Sequence, residues 1–199
     1  MEGVFDLVEI FESVDLYIAT AINGLSSSCG KVLTTPLKII TLSGNWGLSF
    51  IIVAIVMLFF KATRKIGITA LIALAAGALL TNVILKNVIA RPRPFAHVSS
   101  KYYEFWKSTG SLSESGYSFP SGHTTAATAF GVVLFLLKNK KYSWSFLFIP
   151  VVMGFTRIYF TVHYASDIFG GFFIGINAAL FAYFTINLLC KHGKIQKLL

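Results

Sequence analysis

The chain has 199 residues, of which 55% are hydrophobic and 13% charged, and its mean hydropathy is +0.72. A soluble domain carries roughly 25% charged residues, so the composition excludes an ordinary soluble protein and points to an all-α integral membrane helical bundle of one domain's length. The formal net charge of +9 raises nucleic acid as a partner, a question decided by where the cations fall along the chain.

The first 15 residues hold five acids and no Lys or Arg, the reverse of the basic start of a signal peptide. Glu2, Asp6, Glu9 and Ser13 recur at helical spacing, with Val4, Phe5, Val8, Phe11 and Ile18 away from them. A spanning helix would bury several carboxylates, so this amphipathic helix is expected to lie in the membrane interface, with residues 4–26 as a possible sixth span. Residues 31–42 predict a second short surface or partly inserted helix, with Pro36 near an end or a kink. Residues 1–45 thus read as an N-terminal interfacial region.

Five stronger apolar segments follow: Trp46–Phe60, Ile66–Lys86, Ser121–Leu137, Ser143–Val162 and Ser166–Cys190. Their lengths are close to the roughly 17–25 residues that cross a bilayer, and they make residues 46–190 a domain of about five transmembrane helices. The joins "KATRKIG" and "KNKKYS" and the tail "KHGKIQKLL" hold nine of the 17 cations and no acid. Short basic loops stay inside, so these three are expected to be cytoplasmic, the tail 191–199 included. The segment before Trp46, the loop 87–120 and the turn 163–165 then face outward. Basic residues dispersed over several short loops are no nucleic-acid footprint, and that partner is dropped. Cys29 and Cys190 lack metal-ligand spacing and fall on opposite faces, which argues against a bridge. In the loop 95–119, Tyr102, Tyr103, Phe105 and Trp106 suit an interfacial aromatic belt. Gly171-x3-Gly175 in the last span reads as close helix packing.

Three polar clusters share the outer face. They are "KNVIARPRP", with Lys86 and Arg93; "PSGH", with Ser121, Gly122 and His123; and "TRIYFTVHYASD", with Arg157, His163 and Asp167. Charges near the apolar core of a bilayer cost roughly 2.5–3.5 kcal/mol each on insertion scales. One Asp cannot neutralise Lys86, Arg93 and Arg157, so the cluster calls for a multiply charged anion, and phosphate is the obvious one. Arg offers a planar fork to phosphate oxygens and Lys a point charge. Ser121 and Gly122 open a helix, where free backbone N–H groups favour an anion, although Ser121 could equally be only a cap. His163 and Asp167 lie four apart, so a helical turn brings them together. A carboxylate holding one imidazole nitrogen leaves the other free to attack, with His123 available as general acid. Arg91 is expected to contact headgroups or solvent.

These blocks resemble the signature of the type 2 phosphatidic acid phosphatase family, which shares its site with vanadium haloperoxidases and glucose-6-phosphatase. The family pattern is Lys-x6-Arg-Pro, Pro-Ser-Gly-His and Ser-Arg-x5-His-x3-Asp. It reads here as Lys86…Arg93-Pro94, Pro120-Ser121-Gly122-His123 and Thr156-Arg157…His163…Asp167, with Thr156 for Ser as the one departure. The resemblance runs from about Trp46 to Cys190 and implies a haloperoxidase-like core that needs no metal and no cofactor. By its implication His163 forms a phosphohistidine, Asp167 orients it and His123 protonates the leaving group. Lys86, Arg93, Arg157, Ser121 and the Gly122 backbone would hold the phosphate.

The expected activity is hydrolysis of a lipid phosphate at the extracellular or periplasmic face of a plasma or inner membrane. Family analogy favours undecaprenyl pyrophosphate, with phosphatidylglycerophosphate or phosphatidic acid as the alternative. A transporter of phosphorylated anions would show inverted repeats and polar groups at the midplane, and the sequence has no such symmetry.

Overall fold

A single helix, α1 (Glu2–Ser43), takes the place of the two N-terminal helices expected from the sequence, and Pro36 lies inside it. The computed structural model describes residues 2–138 and 140–192, with the backbone alone for residues 2–10 and 140. The acids Glu2, Asp6 and Glu9 of the amphipathic pattern, and the basic tail from residue 193 on, therefore lie outside the described side chains. The Gly/Ser stretch 23–30 looks like a break but is helical throughout, and its hydroxyls bond back to carbonyls of the preceding turn. Ser27 Oγ donates to Asn23 O and Ser28 Oγ to Gly24 O, each at 3.0 Å.

The chain turns at Asn45–Gly47, where Trp46 and Gly47 both adopt positive φ, 57° and 68°. Two successive left-handed residues end α1 and start α2 (Leu48–Leu58), so that the two helices meet at 49°. α3 (Lys61–Ala78) runs on through a π-helical stretch, Leu79–Leu85, into α4 (Lys86–Ile89). Ala90 then takes φ 49° ahead of Arg91-Pro92, and the helix stops. The long loop 87–120 carries α5 (Lys101–Ser108), capped by Ser100, whose Oγ accepts from Tyr103 N at 3.2 Å. α6 (Gly122–Leu137), α7 (Lys140–Ser143), α8 (Phe148–Tyr159) and α9 (Ala165–Lys191) complete the bundle.

Lys61–Ile89 and Ala165–Lys191 are each long and apolar enough to cross a membrane, and the bent pair of α1 and α2 adds a third if it is one span. The 16 residues of α6 and 12 of α8 are shorter. α9 presents Phe173, Phe181 and Phe184 to the outside, each at least 60% exposed, the surface expected against lipid tails.

α6 is the central helix, packed against α3, α8 and α9. Lipid removes most of the hydrophobic drive between helices, so close backbone approach has to hold them. The Gly171–Gly175 stripe supplies it. A Cβ built at Gly175 would stand 2.5 Å from Thr128 Cβ and 2.7 Å from Thr125 O. Gly175→Val is therefore expected to cost about 2–3 kcal/mol by overpacking, roughly 5–10 °C of melting temperature in detergent. Gly24→Val, where a Cβ meets nothing within 4 Å, is the control that isolates the packing effect.

A second apolar cluster of Leu37, Tyr159, Phe160 and Val162 ties α1 and α8 to the loop 87–120. Trp106 belongs to it: its ring stacks on Phe95 at 4.7 Å and its Nε1 donates to Leu112 O at 2.9 Å. Half-buried in this way, Trp106 packs inward and is not part of the aromatic belt expected for this loop.

Candidate active site

A cavity of about 580 Å3 opens where α3, α4 and α6 meet the α1–α2 corner and the loop 87–120. Lys86, Arg93, Gly122, His123 and His163 line its polar part, and Ile51, Leu71 and Leu74 line an apolar wall between α2 and α3. Five of the eight residues picked from the sequence thus converge on one space. Asp167 lies behind His163, Ser121 is buried beneath Gly122, and Arg157 reaches the site through an acid described below.

The His163 side is built by the turn between α8 and α9. Thr161, with φ 51°, reverses the chain, and Tyr164 caps α9. Asp167 stands one turn into α9, so its Oδ2 meets His163 Nδ1 at 3.2 Å and accepts from Tyr164 N at 2.9 Å. With Nδ1–H given to the carboxylate, the Nε2 lone pair faces the Arg93 guanidinium at 3.3 Å. His163 is 3% exposed. Burial, then the charges of Arg157, Arg93 and Lys86, push its imidazole well below the usual histidine range, so it is neutral at pH 7.

Arg93 is fixed by the loops. Nε donates to Gly116 O at 3.0 Å, Nη2 to Ser115 O at 2.8 Å and Nη1 to Val162 O at 2.9 Å. Arg157, the last-turn residue of α8, is fully buried. Its Nη1 donates to Thr41 Oγ1 of α1 at 2.5 Å, and its Nε has no partner among the described residues. Lys86, first residue after the π-helical stretch, makes no ion pair among the described residues.

The sequence reading missed Glu114. This carboxylate pairs with Arg157 Nη2 through Oε1 and lies 3.5 Å from Arg93 Nη2 through Oε2. The count of one Asp against three cations is corrected accordingly: the loop 109–119 folds an acid back between the two guanidinium groups. A carboxylate so placed takes guanidinium donors of the kind that bind phosphate oxygens. The only sequence signal was a lone acid in "SLSESG", and nothing local says how far that loop folds back.

Ser121 behaves as an N-cap, its Oγ accepting from Thr124 N at 3.4 Å and from Thr124 Oγ1 at 3.0 Å, and it does not line the cavity. Gly122 does, so the helix start itself reaches the site. His123 faces Asn45 of the α1–α2 corner, with Nε2 3.0 Å from Asn45 Oδ1. Arg91, expected in headgroups or solvent, is instead ion-paired to Asp167 at 2.7 Å and Asp15 at 2.9 Å. No three His, Cys, Asp or Glu side chains among the described residues converge as a metal site would need. The arrangement sets a neutral imidazole held by a carboxylate beside Lys86 and Arg93, with Arg157 behind Glu114 and a second imidazole, His123, lining the same cavity.

Comparison with known proteins bears on what uses this arrangement. The model of the PAP2 superfamily matches residues 65–189. The undecaprenyl-diphosphatase of Sulfolobus acidocaldarius is 30% identical over 171 residues, covering 84% of this chain and 72% of that one. The undecaprenyl-diphosphatase BcrC of Bacillus subtilis is 31% identical over 160 residues, 80% of this chain and 77% of its own. Phosphatidylglycerophosphatase B of the same organism is 33% identical over 137 residues, 63% of this chain and 60% of its own. Among solved structures, Aquifex aeolicus LpxE superposes with a TM-score of 0.65 at 22% identity, over 84% of this chain and 93% of that one.

Proposed function

The chain belongs to the PAP2 superfamily, and from that premise we propose that it removes the terminal phosphate of undecaprenyl pyrophosphate at the outer face of the membrane. That it is a hydrolase of phosphate esters or anhydrides follows from the family. The observation that carries the site assignment is the placing of His163, with Nδ1 on Asp167 and Nε2 turned to Arg93 at the wall of the cavity.

In this reading the phosphate displaces the Glu114 carboxylate and takes the donors of Arg93 and Arg157, with Lys86 and the Gly122 backbone on the remaining oxygens. The Nε2 lone pair of His163 attacks phosphorus, forming an N–P bond as the bond to the leaving oxygen breaks. His123, which must take up a proton when the anionic substrate binds beside it, gives that proton to the leaving oxygen, so undecaprenyl phosphate leaves protonated once and the phosphoryl group stays on His163. A water then attacks phosphorus, His123 takes its proton, and the N–P bond breaks to release inorganic phosphate and neutral His163. Asp167 keeps Nδ1–H in place and balances the positive charge that develops on the ring. Most of the rate comes from positioning and charge.

Two relatives covered over more than two thirds of their length bear the undecaprenyl-diphosphatase name, which supports the pyrophosphate reading. The apolar wall of Ile51, Leu71 and Leu74 gives the first part of a lipid tail a place beside the charged end. The charge asymmetry of the loops supports an outward site and a cytoplasmic C-terminus. Phosphatidylglycerophosphate is the second reading, supported by the likeness to phosphatidylglycerophosphatase B. Phosphate release in detergent with excess chelator, from the two lipids at equal surface fraction, separates them. The expected result is a kcat/KM about tenfold or more higher for the pyrophosphate, a difference of roughly 1.4 kcal/mol in the barrier. A preference for the glycerolipid would move the substrate and leave the site assignments standing.

A further inference from the structure

Behind His163, outside the phosphate cavity, Asp167 is held by a chain of charges that reaches α1, two buried acids joined by Arg91, which is itself a quarter exposed. Arg91 Nη1 donates to Asp167 Oδ1 at 2.7 Å, and Arg91 Nη2 donates to Asp15 Oδ2 at 2.9 Å. Asp15 is 1% exposed and lies well before the stretch 65–189 that matches the family model. Its carboxylate also accepts from Ser166 N at 2.8 Å and Ser166 Oγ at 2.6 Å, next door to Asp167. Ser166 Oγ in turn accepts from Arg91 Nη1 at 2.7 Å, and the guanidinium carbon stands 3.8 Å over the Tyr164 ring. Both ends of the Arg91 fork and one face of its plane are thus committed.

A buried acid on an apolar helix is costly unless it is paired and hydrogen-bonded, and Asp15 is both. What the pairing does to Asp167 follows from the charges. Oδ2 of Asp167 serves His163 and the Tyr164 amide, so Arg91 on Oδ1 sets the rotation of the carboxylate and thereby the angle of the imidazole. Arg91 alone would cancel the charge that Asp167 must supply to the ring when His163 becomes bonded to phosphorus. Asp15 on the other side of Arg91 returns the group of three to a net charge of −1.

We infer that Asp15 and Arg91 are positioning residues for the nucleophile, fixing Asp167 in orientation while leaving it anionic, and that α1 is in this way part of the catalytic apparatus. The inference rests on His163 being the nucleophile. It assigns Asp15 and Arg91 no contact with substrate, so their loss acts on the chemical step and not on binding.

The test is steady-state turnover of the full chain in detergent on undecaprenyl pyrophosphate and on a short-chain phosphatidic acid, with acid-labile phosphoenzyme trapped by base quench. Arg91→Gln is expected to lower kcat about 30-fold and Asp15→Asn about tenfold, both with KM within about twofold. The double variant should be no slower than Arg91→Gln, because both changes break the same chain. Arg91→Lys, which returns a charge without the fork, should recover at least about a third of the lost kcat. Phosphoenzyme should form more slowly in proportion to kcat, at an unchanged fraction of folded protein by melting curve. Asp15→Asn keeps the shape of the side chain and remains readable if Arg91→Gln folds poorly. The inference is overturned if either single variant keeps kcat within twofold of wild type, if the loss lies in KM, if the two losses multiply, or if they track the folded fraction. His163→Ala run alongside separates the failures: activity in that variant overturns the nucleophile and this inference together. A dead His163→Ala beside fully active Arg91 and Asp15 variants overturns this inference alone.

Discussion

Replacing His163 by alanine is expected to lower phosphate release by about 10^5-fold or more, the scale seen when a covalent nucleophile is removed, with no phosphoenzyme on base quench. The size follows from what the side chain does. Its Nε2 is the nitrogen placed beside Arg93 at the cavity, and its Nδ1 is held by Asp167. His123 Nε2 is hydrogen-bonded to the Asn45 amide oxygen at 3.0 Å, so among the described residues it is no second imidazole oriented by a carboxylate. Arg93 would remain bound to Val162 O, Gly116 O and Ser115 O, so binding of phosphate should survive the change. Vanadate or inorganic phosphate should therefore protect His163→Ala against heat about as well as it protects the wild type. Retained turnover above about 1% of wild type would transfer the nucleophile's role elsewhere.

The same residue fixes a pH signature. Burial and the three nearby cations hold the folded-state pKa of His163 well below its ordinary value of 6.5. The unprotonated nucleophile is then fully present at pH 7 and persists as pH falls through 6.5. An acid limb of kcat/KM set by this group should lie below that value, once the ionisation of the substrate is corrected for. In stability the sign is also fixed. The unfolded chain takes up a proton near pH 6.5 that the folded chain refuses, so this site's contribution is complete above that pH and is lost as pH falls toward the folded pKa. His163→Ala should remove that part of the acid sensitivity.

The residues legible in the sequence were those whose chemistry is encoded within a few positions. Arg93 with Lys86, Gly122 with His123, and His163 with Asp167 each sit in a short block, and the fold brings the blocks to one cavity. The π-helical stretch ending at Leu85 and the cap at Ser121 set the direction of their side chains, and both are local. What escaped was every partner contributed from far away. Glu114 meets Arg157 across 43 positions, Asn45 meets His123 across 78, Thr41 meets Arg157 across 116, and Asp15 meets Ser166 across 151. No periodicity or spacing records such a contact, because the positions are related only through the packing of α1 and the loop 87–120. α1 itself was misread for a local reason. Ser and Gly in a row, followed by Pro36, disfavour a helix in water, whereas an apolar setting leaves backbone N–H and C=O groups no partners outside the helix and so favours it. Trp106 was assigned to a membrane belt because an aromatic cluster in a loop looks the same whether it meets lipid or Phe95.

Arg157→Lys is the second large effect, expected to lower kcat/KM by about 10^2- to 10^3-fold, the scale of removing a donor aimed at transition-state charge. Arg157 is fully buried, its fork spans Thr41 and Glu114, and its Nε is an N–H without an acceptor among the described residues. A lysine keeps the charge and loses the fork, so it can serve Thr41 or a phosphate oxygen but not both. Glu114 makes the interpretation decidable, because two accounts of Arg157 differ in what happens when the acid is removed. If Glu114 holds the place of the substrate phosphate, Glu114→Gln lowers KM several-fold in the wild-type background, since the incoming dianion no longer displaces a carboxylate. Adding Arg157→Lys to it then still costs about 10^2-fold or more, because the donors for the phosphate are gone whether or not the acid is present. If Arg157 serves only to neutralise Glu114, taking away the carboxylate makes the fork dispensable, and the double variant returns to the activity of Glu114→Gln. The four proteins of this cycle, compared by kcat/KM and by the inhibition constant for vanadate, place Arg157 on the substrate in the first case and on the loop in the second.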